Sequence, residues 1–132
     1  MNIFFKNILS DKSTNPPEPV KNHFFSFFTN PFNIDWHSED DFYEAIFYED
    51  DLEKIAKYDT EGNFINVKTN IPVDHLPQKV FLVAQSFGEI MNAILISNFS
   101  ETFYEIILRD KELVRFELFL DENGTVISNQ KL

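Results

Sequence analysis

The chain of 132 residues holds 22 carboxylates and three histidines but no cysteine, and that inventory limits the chemistry open to it. Without sulfur there is no thiolate zinc site, iron–sulfur cluster, disulfide scaffold or cysteine nucleophile. Asp35, His37 and Glu39 alternate along a run that reads as extended, which puts all three on one side, a spacing a metal could use. The other imidazoles, His23 and His75, belong to no ligand pattern, so no metal is expected. Three glycines are too few for a phosphate-cradling loop, and no nucleophile elbow accompanies a Ser-His-Asp order. Glu44 and Glu105 have the residue type of a glycosidase carboxylate pair. Both alternate with apolar neighbours, however, the pattern of solvated positions on half-exposed strands. The expectation is a protein with no catalytic residue, no metal and no cofactor, and so not an enzyme.

Charge excludes a second class. Eleven Lys and Arg against 22 Asp and Glu leave a net charge of −11, the wrong sign for a phosphate-binding surface, and no nucleic acid is expected. The acid density peaks in Ser38-Glu39-Asp40-Asp41 together with Glu44, Glu49, Asp50, Asp51 and Glu53. This pattern reads as solvated loops flanking a hairpin, with a docking patch for a basic partner as the functional alternative. At 43% hydrophobic and 25% charged the chain is globular, and its length suits one domain.

No run reaches the ~18–20 apolar residues of a membrane span. The apolar start, MNIFFKNILS, is broken by Lys6 and Asn7, unlike the continuous core of a secretory leader, which points to the cytoplasm. Residues 1–18 are expected to be a flexible arm and linker, either loose or a short amphipathic helix at the front. Pro16, Pro17 and Pro19 end it, and a domain over residues 19–132 follows.

Within that domain the sequence resembles itself. Phe42-Tyr43-Glu44 returns as Phe103-Tyr104-Glu105, 61 positions on, and Asp59-Thr60-Glu61-Gly62 returns as Asp121-Glu122-Asn123-Gly124, 62 positions on. Val20, Ser26 and Phe27 match Val80, Ser86 and Phe87 at 60. Phe32, Ile34 and Trp36 fall opposite Asn92, Ile94 and Ile96, which places Trp36 and Ile96 at one core position. Ordered matches of this extent predict a duplication, with repeats over 19–72 and 76–132.

Each copy reads as a helix and then strands. The helices are expected over Pro19–Thr29, with Val20, Phe24, Phe27 and Phe28 on one stripe, and over Pro77–Met91, with Val80, Val83, Ala84, Phe87 and Met91. The strands are Asn33–His37, Asp41–Tyr48, Leu52–Tyr58 and Phe64–Lys68, then Asn92–Ser97, Glu101–Arg109, Leu113–Leu120 and Val126–Ser128. Asp-x-x-Gly between extended runs is a hairpin signal. The predicted class is α+β: two tandem helix-plus-antiparallel-strand repeats forming one sheet, with both helices on one face.

Period-2 alternation then sorts the faces. Tyr43, Ala45 and Phe47, with Tyr104, Ile106 and Leu108, turn toward the helices, as do Val114, Phe116, Leu118 and Leu120. Phe103 and Glu117 fall on the opposite face, whose candidates are Phe42, Glu44, Ile46 and Tyr48, then Glu105, Ile107 and Arg109, and Arg115 and Phe119 from the next strand. An uncovered apolar strip of this kind suits a partner, a second subunit or the N-terminal arm. Those nine residues are the candidate partner-binding set, and a homodimer is one of the arrangements they allow.

The motif order resembles that of the PepSY-like, beta-lactamase-inhibitor-like domains. It runs Pro17 to Val20, Trp36, Phe42 to Phe47, Asp59 to Gly62, Leu76-Pro77, Tyr104-Glu105 and Asp121 to Gly124. The resemblance covers residues 19–130 and its motifs are structural. It implies a tandem helix-plus-sheet fold whose open face binds other proteins, and a periplasmic or secreted location. The functional expectation is a non-enzymatic protein-binding or inhibitor-like module. The alternative is an acidic cytoplasmic immunity or inhibitor protein that neutralises a basic enzyme.

Overall fold

Helix α1 (Glu18–Phe27) begins where Pro19 falls in the first turn, the one place where a missing N–H costs nothing. The computed structural model describes residues 12–132. Of the arm and linker expected over residues 1–18, residues 1–11 lie outside the described residues. Lys12 and Ser13 pair with Ser38 and His37 as a short strand, and Glu18 already belongs to the helix. The strands are β1 (Lys12–Ser13), β2 (Phe32–Glu39), β3 (Phe42–Glu49), β4 (Leu52–Asp59), β5 (Phe64–Ile71), β6 (Glu89–Ser97), β7 (Thr102–Arg109), β8 (Arg115–Asp121) and β9 (Val126–Lys131). A 3-10 turn over Val73–His75 precedes α2 (Gln78–Phe87). The fold is α+β, with antiparallel strands and two α-helices.

The chain divides between Val67 and Lys68, inside β5, into two compact units. In the first, β1 pairs with β2, β2 with β3 and β3 with β4, all antiparallel. Its core joins Val20, Phe24 and Phe28 to Ala45, Phe47, Ala56 and Tyr58. The Phe24 ring lies 4.9 Å from Phe47, 5.1 Å from Trp36 and 5.2 Å from Phe28, distances typical of favourable aromatic pairs. Small residues on the strands leave room for it: Ala45 and Ala56 are register partners directly beneath the helix.

The second unit pairs β6 with β7, β7 with β8 and β8 with β9. Its core has the opposite division of volume. Ala84 and Val80 are the buried helix residues, and Ile106, Leu108, Leu118 and Leu120 fill the space from the strands.

Several expected positions shift. Phe27 is 45% exposed, because Val20, Phe24 and Phe28 at four-residue spacing define the buried line and Phe27 falls on its flank. Helix α2 stops at Phe87 rather than Met91: Gly88 ends it, β6 starts at Glu89, and Met91 is an exposed strand residue. Trp36 and Ile96 do not share a position. Trp36 pairs with Ala45 on the helix side, whereas Ile96 pairs with Phe103 on the other side. Register irregularities at Phe32/Asp35 and Ile90/Asn92 change the count along these strands, and a one-residue slip moves a side chain to the opposite face.

The hairpin turns follow one plan. Asp59 Oδ1 accepts from the N–H of Glu61 and of Asn63, and Asp121 Oδ1 accepts from the N–H of Asn123 and of Thr125, each at 2.9 Å. These bonds, led by that from the Asn63 N–H, hold the Asp59 carboxyl below its ordinary range. A third loop uses the same device, Asp110 Oδ1 accepting from Glu112 and Val114.

One buried polar atom in the first core lacks a partner, the Tyr58 hydroxyl. Burial raises its pKa, keeping it neutral. Tyr58→Phe is therefore expected to leave stability unchanged or raise it by up to about 1 kcal/mol, because an unsatisfied buried hydroxyl is lost with the ring retained. Urea unfolding of the two proteins checks this, and a loss above about 1 kcal/mol would mean the hydroxyl is bonded.

Candidate binding face

In each unit the helix covers one side of the strands, and the nine candidate residues lie on the other. Within the first unit β3 carries Phe42, Glu44, Ile46 and Tyr48 on that side, opposite Asp59, Lys57, Ile55 and Glu53 of β4. The Lys57 ammonium sits 4.4 Å from the centre of the Phe42 ring, a cation–π distance, and Lys57 is also the register partner of Glu44. Phe32 stacks on Tyr48 at 5.7 Å, and both rings are exposed. Asp35, His37 and Glu39 share this side through their β3 partners Ile46, Glu44 and Phe42. No group of three His, Asp or Glu residues among the described residues could hold a metal ion.

In the second unit Glu105, Ile107 and Arg109 line β7, with Arg115 and Phe119 beside them on β8. Phe103 and Phe119 pack at 5.2 Å. Arg109 donates to Glu89 Oε1 at 2.7 Å, which fixes the guanidinium against its register partner across the ladder. Arg115 lies directly opposite Arg109, so two guanidinium groups share one end of the face. Glu105 is 3.7 Å from the Lys68 ammonium through Oε1, while its Oε2 is buried without a hydrogen-bond partner.

The candidates thus form two sets, four residues in one unit and five in the other, each contiguous within its own strands. The face is less open than alternation suggests. Ile55 and Ile94, partners of Ile46 and Glu105 on this side, are 2% and 1% exposed. Phe103 completes the surface from β7 itself, as alternation places it, while Phe32, Lys57, Lys68 and Glu89 join through cross-strand register, which one sequence does not display.

The acidic run also departs from a set of solvated loops. Asp40, Asp50 and Asp51 are exposed turn residues with positive φ. Glu49 instead is buried on the helix side, where it bonds Lys54 Nζ at 3.0 Å and accepts from the Asn30 N–H just beyond α1. It ties the helix end to the hairpin.

Solved structures share this architecture at low sequence identity. A DUF2874 family protein from Bacteroides ovatus ATCC 8483 superposes with a TM-score of 0.81 at 17% identity, covering 89% of each chain. A candidate periplasmic protein from Bacteroides eggerthii DSM 20697 gives 0.81 at 15% identity, with 89% of this chain and 90% of that one covered. A BLIP-like protein from Bacteroides fragilis NCTC 9343 gives 0.78 at 16% identity, with 90% and 88% covered. The fold is therefore BLIP-like, as the beta-lactamase-inhibitor-like resemblance implied. No family model and no curated protein matches the sequence. No helix among the described residues is long and apolar enough to cross a membrane.

Proposed function

We propose that the chain is a non-enzymatic protein-binding or inhibitor-like module that works through the strand faces its helices leave uncovered. The observation that carries this reading is the set of aromatic rings held on those faces: Phe42 under Lys57 and the Phe32–Tyr48 stack in one unit, the Phe103–Phe119 pair in the other. Aromatic side chains in a fixed setting with charged neighbours are the usual anchors of a protein interface. Phe42, Ile46, Tyr48, Ile107 and Phe119 would supply desolvated area. Glu44, Glu105, Arg109 and Arg115 would set orientation. The likeness to a BLIP-like protein supports this reading at the level of fold, and fold alone does not carry function.

Phe42→Asp is expected to weaken capture of the partner at least tenfold, and Phe119→Asp likewise, with circular dichroism unchanged. Undiminished capture by both folded variants would remove the face from consideration. The second reading, an acidic immunity or inhibitor protein neutralising a basic enzyme, is favoured by the net charge of −11. It requires a complex that dissociates as salt rises through the range where the Debye length falls below about 8 Å.

The PepSY-like assignment, the duplication of one helix-and-strand element and a periplasmic location belong to the same proposal. The duplication is supported by equivalent details: Ser26 Oγ donates to the His23 carbonyl, and Ser86 Oγ to that of Val83. Gly62 approaches Pro19 as Gly124 approaches Lys79. The location is supported by the description of the Bacteroides eggerthii neighbour.

A further inference from the structure

Strand β9 pairs with β8 and, among the described residues, with no other strand. All six of its residues are exposed. The Leu132 N–H donates to the Arg115 carbonyl at 2.9 Å, and alternate residues of an antiparallel strand turn their backbone groups the same way. Leu132, Gln130 and Ser128 therefore direct N–H and C=O toward β8, while Lys131 and Asn129 direct theirs outward. Ile127 is the extra residue at the register shift opposite Phe119 and Leu120. The usual guards of a sheet edge are sparse. There is no proline, and the one charge, Lys131, sits at the end of the strand, which leaves Val126 to Gln130 neutral.

We propose that this edge pairs with the same edge of a second copy, antiparallel about a two-fold axis at Asn129. The outward groups of Asn129 then meet those of Asn129 in the other copy, and Ile127 stands opposite Lys131. On the alternate face Ser128 stands opposite Gln130. This register pairs every outward residue from Ile127 to Lys131, whereas an axis at Ser128 leaves Lys131 without a partner in β9 and an axis at Gln130 leaves Ile127 without one. Charge argues for a copy rather than a foreign strand of opposite sign. Each chain carries −11, yet β9 has no carboxylate. Two such edges meet without an acidic pair, and the two Lys131 side chains lie at opposite ends. A basic partner finds nothing on β9 to attract it. The contact is small beside the ~1,200–2,000 Å² of a stable interface, so the dimer is weak and concentration-dependent.

The absence of cysteine makes the test direct. Two residues facing each other in a hydrogen-bonded antiparallel pair have Cα atoms about 5.5 Å apart, within disulfide range. Asn129→Cys is expected to crosslink to a dimer under mild oxidation at least tenfold faster than Gln130→Cys, which faces Ser128 instead. In sedimentation velocity the unmodified chain should move from monomer toward dimer mass between about 10 μM and 1 mM. Asn129→Pro should hold it monomeric while leaving the β8–β9 ladder intact, because the outward N–H is the one removed. Asn129→Asp, which sets two carboxylates opposite each other, should do the same without touching the backbone. A monomer throughout that range overturns the proposal. So does a dimer that survives Asn129→Asp, or faster crosslinking at Gln130→Cys.

Discussion

Phe24→Ala is expected to destabilise the protein by about 3–5 kcal/mol, the range for deleting a fully buried aromatic side chain. Phe24 has no exposed surface, and Trp36, Phe28 and Phe47 all lie within 5.2 Å of its ring. The cavity could not be closed from the strands, because the residues beneath the helix are Ala45 and Ala56, whose methyl groups have no reach. The measurement is chemical denaturation monitored through Trp36, the sole tryptophan, which reports on this core. A loss below about 2 kcal/mol would mean that the helix settles into the space, and that α1 is less firmly placed than its contacts suggest. Ala45→Val together with Phe24→Leu should recover part of the loss, since volume moves from helix to strand as in the second unit.

Gly62→Ala is the second large effect, expected at about 2–4 kcal/mol. Gly62 has φ of +89°, and a Cβ there would lie 2.8 Å from the carbonyl carbon, carbonyl oxygen and Cβ of Pro19. Two of those are backbone atoms at the start of α1, so the turn and the helix would have to separate. Backbone strain in the left-handed region adds to that clash. Leu113 supplies the control of opposite sign. It occupies the corresponding place after Asp110, with φ of +65°, and its side chain is 69% exposed. Leu113→Gly relieves strain without opening a cavity and should raise stability by about 0.5–1 kcal/mol, less than the full left-handed cost because glycine also frees the unfolded chain. Thermal unfolding of the three proteins separates the cases. Equal behaviour of Gly62→Ala and wild type would contradict the close approach at Pro19.

Much of the architecture was legible because it rests on local rules. Both helices start within a residue or two of a proline that tolerates the first turn, and Asp-x-x-Gly marks two hairpins whose aspartates bond the backbone amides ahead of them. Alternation assigned Ala45, Phe47, Ile106, Leu108, Leu118 and Leu120 to the helix side, where they are buried. The α2 boundary is not legible because the apolar spacing continues through Met91, whereas Gly88 ends the helix. Trp36 and Ile96 were misaligned because a bulge carries almost no signal in composition. The candidate face was legible in part. The residues of β3, β7 and β8 could be sorted by parity, but Lys57 over Phe42, Glu89 on Arg109 and Lys68 beside Glu105 come from other strands.

The sequence by itself determined which residues are apolar, where helices and turns begin, and which side of β3, β7 and β8 faces the helices. Those properties depend on neighbours within a few positions along the chain. Tertiary structure alone decided that Glu49 leaves an acidic run to bind Lys54 and the end of α1, and that Phe24 fits because Ala45 and Ala56 are small. It also decided that, among the described residues, β9 pairs along one edge only. These outcomes depend on strand register and on the volume left between elements, quantities set jointly by residues far apart in the chain and written at no single position.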